Sequence, residues 1–421
     1  MSFRSLLLAI IAVLFLSCKN EIKKETEIPS EAQQTVITLI KNPTVENSAL
    51  PRLFSNGSQL YLSWIEQKDS LSILKYSVMT KGAWQKPVTV ASGSDWFVNW
   101  ADFPAIAENN GNLLLSFLQK SAEGTYTYDI KMNLFHPSHT ETSESKWKKN
   151  FILHNDGTKS EHGFVSMLPY GRNSFFVSWL DGRNTTGGHD THDGHSEGGA
   201  MTLRAAVVTA SGEITKEAEL DPRVCDCCGT SAAMTSKGPV VVYRDRSQDE
   251  IRDVSIVRWE GDTWSDPKTV AADDWKIAGC PVNGPAVDAK GDHLVVAWFT
   301  ASKGEGDIKV AFSGDGGATF GRSFRLDGEN ANGRVDVVML SQEEAAVLWM
   351  EPKGDDTVLQ LMNVNVHGYS ETPVTVTTTS AERSSGFPQL ELVDDTLYLA
   401  WTEIAEDGKH IKTASIPLSH L

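Results

Sequence analysis

Positive charge is scarce in this chain. Its 421 residues carry 38 Lys and Arg against 55 Asp and Glu, a formal net charge of −17. Neutralising a phosphate backbone needs the opposite balance, so nucleic acid is excluded as a partner. Long apolar runs are also missing. Residues 6–16 are continuously apolar, but the run is short for a bilayer and no other segment approaches that length. Cysteine is sparse, with five. What is abundant is turn and core chemistry: 33 Gly, 16 Pro, 12 Trp and 40% hydrophobic residues describe a folded, turn-rich protein. The length suits two or three ordinary domains or one large repeat fold.

The 6–16 run follows a single Arg4 and has the size of a secretory h-region. Phe15-Leu16-Ser17-Cys18 closes it. A Cys directly after a small residue at that point resembles the lipobox of bacterial lipoproteins. The resemblance implies a signal peptide over 1–17, an acylated Cys18, a flexible tether over 18–34, and an exported, membrane-anchored protein at the periplasmic or cell surface. Ordinary secretion with cleavage elsewhere is the alternative.

One pattern recurs through the rest of the chain: an apolar segment, a Gly/Asn/Asp turn, then an alternating strand ending in an aromatic. Trp64, Phe117, Trp179, Tyr243, Trp298, Trp349 and Trp401 mark the seven copies. Two further strand-like runs follow each aromatic, making a four-stranded antiparallel unit. Such units bury both faces only against neighbours, which predicts an all-β fold, a seven-bladed β-propeller over 35–421. The last copy lacks a fourth strand, and the run 35–40 is free to supply it and close the ring. Six blades is the alternative if the copy around Val335 is degenerate.

Ser313-Gly314-Asp315-Gly316-Gly317-Ala318-Thr319-Phe320 resembles the Asp-box (BNR repeat) of sialidases and related propellers, with Ser313, Asp315, Gly317 and Phe320 at defining positions. Residues 82–87 and 261–267 are weaker relics. The motif builds a turn and speaks to fold rather than activity. The resemblance implies a glycan ligand or another small molecule, and exo-sialidase-type hydrolysis if the protein is an enzyme. That chemistry needs three arginines on the substrate carboxylate, a Tyr nucleophile paired with Glu, and an Asp acid/base. Candidate ligands are Arg52, Arg244, Arg246, Arg334 and Arg383, with Trp96, Trp100 and Trp275 as stacking surfaces. The complete catalytic set is not visible, and no Tyr stands out in the loops of the binding face. A non-catalytic scaffold, monomeric like the enzyme, is a further reading.

The features least like a sialidase are sulfur and imidazole. Cys225, Cys227 and Cys228 precede the fourth copy, Cys280 precedes the fifth, and His189, His192 and His195 lie in an insertion of the third, with His162 at its start. A propeller puts all these loops on one face. Four cysteines in an exported chain are enough for two disulfides. Thiolates and imidazoles are equally the ligands of copper and zinc, which predicts a metalloprotein or a metal-dependent oxidoreductase. Stapling, metal binding and a mixture of the two all remain open from sequence.

Overall fold

Seven antiparallel sheets follow one another along the chain in the computed structural model, which describes residues 37–137, 146–185, 199–368, 370 and 372–421. Blade 1 comprises Ser48–Ser55, Leu60–Lys68, Leu71–Thr80 and Val88–Gly93, with the short Ala83–Trp84 beside the third strand. Blade 2 is Ile106–Asn109, Asn112–Lys120, Tyr128–Phe135 and Trp147–Ile152, and blade 3 is His162–Tyr170, Ser174–Asp181, Thr202–Val208 and Ile214–Asp221. Blade 4 holds Ser231–Thr235, Gly238–Arg244, Val254–Arg258 and Lys268–Thr269. Blade 5 holds Ala286–Lys290, His293–Thr300, Asp307–Ser313 and Phe324–Arg325. Blade 6, around Val335, is complete with Gly333–Met339, Glu344–Lys353, Asp356–Asn365 and Val374–Thr379, so seven blades stand rather than six. Blade 7 is Gln389–Val393, Thr396–Ala405 and Gly408–Pro417, and Thr38–Ile40 pairs antiparallel with the last of these as its outer strand.

First strands of successive blades pack against one another, and that of blade 7 packs against that of blade 1, which closes the ring of a seven-bladed β-propeller. Helix is confined to two single turns among the described residues. The second strands are the most deeply covered; Glu344–Lys353, for example, is buried from Ala345 to Glu351. Neighbouring blades cover both faces there, so alternation gives way to continuous apolar runs. The seven repeat aromatics all sit on these strands and are all buried. Outer strands such as Trp147–Ile152 face water.

One local device recurs. In blades 1, 3 and 6 the first strand carries a bulge, and Leu50, Phe164 and Arg334 adopt positive φ within it. Each turned N–H donates to a side chain of another blade or its loops: Leu50 to Thr402 Oγ1 at 3.3 Å, Phe164 to Asp102 Oδ1 and Arg334 to Asn283 Oδ1, both at 2.8 Å. The residue before the turned one is Gly163 or Gly333 in two cases. A Cβ there would lie 1.9 Å from Asp102 Oδ2 or 2.3 Å from Asn283 Oδ1. Glycine is what allows the anchoring side chain to reach the backbone.

Candidate functional site

The loops leading into blades 2 to 5, and the connections from second to third strands, converge on one face. The loop leading into blade 4 is pinned there by Val224 bridging Asp245 and by the Cys225 N–H donating to Arg244 O at 3.0 Å. Three sulfurs are thereby gathered. Cys225 Sγ lies 3.6 Å from Cys228 Sγ and 3.9 Å from Cys227 Sγ, and Cys227 and Cys228 are 4.0 Å apart. All four described cysteines are free. A metal–sulfur bond of about 2.3 Å in tetrahedral geometry puts ligand sulfurs about 3.8 Å apart, which is the spacing this triangle has. Cys280, from the loop leading into blade 5, is the fourth: its thiol lies beside that of Cys227, outside the triangle.

Arginines surround the sulfurs. Arg252 Nη1 donates to Cys225 Sγ at 3.1 Å while its Nη2 reaches Glu250 Oε2 at 2.8 Å. Arg246 pairs with Glu250 at 2.8 Å and with Asp226 at 3.3 Å. Burial opposes ionisation of Cys225, but the thiols of Cys227 and Cys228 and the Arg252 guanidinium outweigh it and hold this thiol well below its ordinary pKa. Burial and the neighbouring Cys225 push Cys228 up. The cluster therefore concentrates its negative charge on one sulfur facing a guanidinium.

A second group lies in the loop leading into blade 3. His154 and His162 stack with ring centroids 3.5 Å apart and planes 7° from parallel. Asp156 Oδ2 faces His154 Nδ1 at 3.1 Å and His162 Nε2 at 2.9 Å, and Asp129 and Asp181 lie 3.9 and 3.7 Å from the pair. Asp181 is already engaged by Trp179 Nε1 and by Arg183. Burial lowers the His154 pKa to about 4. Parallel rings at this separation cannot both point an in-plane lone pair at one ion, since an ion midway would sit roughly 1.7 Å out of each ring plane on a bond of about 2.0–2.1 Å. The group is a hydrogen-bonded buttress of the loop. His162, grouped with the cysteines by the sequence, belongs here and not to the sulfur triangle.

Sequence reasoning passed over a third group. Tyr128 opens the third strand of blade 2, is 1% exposed, and donates to Glu161 Oε1 at 2.6 Å. Burial raises Glu161 to about 8 and Asp102, beside the same phenol, to about 7. The second oxygen of Asp102 has no hydrogen-bond partner. Nothing in local sequence marks Tyr128; its position after a second-to-third-strand connection is the only signal.

The arginine and tryptophan candidates other than Arg383 have definite partners. Arg244 donates to the carbonyls of Asn283, Arg252 and Phe299 and lies over Trp275. Arg334 donates to Ser385 Oγ and the carbonyls of Gly386, Ala381 and Glu382 and lies over Trp100. Arg52 reaches Gln389 Oε1 at 2.9 Å, and Arg383 begins the turn Arg383–Ser385. Trp96 stacks on Phe117 at 3.9 Å, and Trp100 on Phe387 at 5.8 Å. Ser313–Phe320 forms a turn between the third and fourth strands of blade 5, on the opposite face: Ser313 Oγ donates to Asp315 Oδ1, which accepts from the Thr319 N–H, both at 2.8 Å. Cys18, His189, His192 and His195 lie outside the described residues.

No protein-family model matches the chain, and no curated protein matches it. Among solved structures it is similar to the polysaccharide lyase Uly1, at 11% identity over 94% of each chain with a TM-score of 0.48. A phage phi92 endosialidase matches at 9% identity over 91% of this chain and 69% of that one, TM-score 0.49. A Trypanosoma rangeli sialidase matches at 15% over 91% and 60%, TM-score 0.43. Likeness at this level carries no argument about activity.

Proposed function

We propose that this chain is a metal-binding propeller whose centre is the thiolate cluster of Cys225, Cys227 and Cys228, completed by Cys280. The observation that carries the reading is the sulfur triangle, whose edges of 3.6–4.0 Å fit the ligand face of a copper or zinc ion. Arg252 supports it, because an N–H donated to a ligand sulfur offsets the charge that thiolates bring to a buried site. Binding would deprotonate every ligand thiol, so affinity rises with pH. The protein is further proposed to be exported and held at a membrane through Cys18, which places the centre at the cell envelope. The test is reduction and stripping of the purified chain, then anaerobic titration with cuprous ion and, separately, zinc. One ion per chain is expected, lost when Cys227 and Cys228 are both changed to Ser. A fully reduced wild-type chain that retains neither ion refutes the reading.

A second reading, a glycan bound or processed on the same face, is favoured by one observation. Tyr128 and Glu161, hydrogen bonded at 2.6 Å with Asp102 beside them, form the residue set that sialidase-type chemistry uses for nucleophile, base and acid. Its test is turnover of a fluorogenic sialoside that disappears in Tyr128→Phe.

A further inference from the structure

Three of the four thiols are not equivalent to the fourth. Cys225 and Cys228 are each 1% exposed, and Cys227 lies half-buried on the same four-residue segment. Cys280 is exposed and comes from the neighbouring blade's loop. Three ligands on one pinned segment already close a chelate. The fourth is added from outside by a segment with its own strain: Val282, two residues on, holds φ at 48°, a conformation that a β-branched side chain strongly resists. Asn283, which follows, is fixed by accepting the Arg334 N–H at 2.8 Å and by its carbonyl on Arg244. The exposed Cys280 is thus tethered to an anchored residue through a strained one.

A purely structural zinc site has the reverse design, with every ligand buried and the ion joining distant segments. Here the ion would be held from below and capped at the water side by a single replaceable thiolate. Resting on the metal reading above, we infer that the centre is a transfer site for cuprous ion, in which Cys280 is the exchangeable ligand and the partner is a thiol or thioether donor, protein-borne or small. The exchange is a ligand swap without redox change. The Cys280 sulfur leaves copper as the incoming sulfur bonds to it, and the ion then passes to the partner with its charge unaltered. Three thiolates suit cuprous ion, which is satisfied by fewer soft ligands than the four that structural zinc takes. Arg252 against Cys225 stabilises the three-thiolate state after the cap has gone.

The full chain, reduced and loaded anaerobically with one cuprous ion, is mixed with excess of a chromophoric cuprous chelator, with and without glutathione, and the transfer rate is read by absorbance. Cys280→Ser is expected to retain one ion per chain and to release it at least about tenfold faster, while the double variant Cys227→Ser/Cys228→Ser binds none. Glutathione is expected to accelerate release from wild type but to add little in Cys280→Ser, where the position is already open. The inference is overturned if Cys280→Ser loses the ion as completely as Cys227→Ser/Cys228→Ser, or if its release rate equals wild type. A wild-type chain that takes up no cuprous ion overturns the metal reading itself, which separates the two failures.

Discussion

Replacing Arg244 by Met tests whether the cationic residues around the sulfurs hold the face together or serve a ligand. Arg244 is 1% exposed and makes four hydrogen bonds to three carbonyls: two to Asn283 O at 3.0 and 2.9 Å, one to Arg252 O at 2.6 Å and one to Phe299 O at 2.7 Å. Its guanidinium also lies 4.9 Å from the Trp275 ring. Methionine restores the bulk and the ring contact but leaves three buried carbonyls without donors, each costing about 1–3 kcal/mol. Removing a buried charge returns part of that by relieving desolvation, and water admitted to the gap returns more, so a net loss of about 3–5 kcal/mol is expected. Guanidinium unfolding followed by near-ultraviolet circular dichroism measures it, and Arg244→Lys, able to satisfy one or two carbonyls, should fall about halfway. A loss below about 1 kcal/mol for Met, with weakened ligand or metal binding, refutes the structural assignment.

Asp315→Ala removes the acceptor for the Thr319 N–H and hydroxyl, so it should cost about 1–2 kcal/mol in the same unfolding assay and leave metal uptake unchanged. Glu391 lies on the first strand of blade 7, and burial raises its pKa from 4.5 to about 8 against the pull of Arg52. The folded chain keeps that proton longer than the unfolded one, so this group's contribution is full below about pH 4.5 and is lost as pH rises toward 8; Glu391→Gln should flatten the fall in unfolding midpoint across that window. Cys18→Ser should move the protein from the membrane fraction to the soluble one in cell fractionation, and unchanged detergent partition would remove the lipid anchor.

Much of the architecture was legible because a propeller repeats its physics. Seven second strands each need an aromatic between blades, and Trp64 to Trp401 announced them at intervals of 51 to 64 residues. The closing strand was legible as a deficit, since the last copy ended one strand short. The site was legible only where composition is rare, as with four cysteines. Tyr128, His154 and Asp156 were not, because their partners come from segments distant in sequence or from an irregular loop. The adjacent residues Glu161 and His162 face opposite ways on extended backbone, one to Tyr128 and the other to His154 and Asp156. Charge pattern and spacing cannot show which partners the ring brings to each side. The same limit explains why the arginines read as candidate ligand-binding residues from sequence, when Arg244 and Arg334 are filling carbonyl cages that only the ring creates.

The sulfur geometry also fixes what oxidation of the metal-free chain would do, and this separates a metal centre from a staple. Cys227 and Cys228 are neighbours in sequence, with Cα atoms about 3.8 Å apart, short of the roughly 4.4–6.8 Å that an unstrained disulfide spans. Their direct bridge is therefore disfavoured although their sulfurs are only 4.0 Å apart. Cys225 and Cys228 have the shortest separation, 3.6 Å, and two intervening residues. That leaves Cys227 to its neighbour Cys280. Oxidation should yield Cys225–Cys228 and Cys227–Cys280, read by peptide mass mapping without reduction. Because every ligand sulfur would then be bonded to another, the oxidised chain should take up no cuprous ion, and reduction should restore one. Uptake by a chain with both bridges mapped would mean that the ion sits elsewhere, and the sulfur triangle would then be a staple waiting for its oxidant.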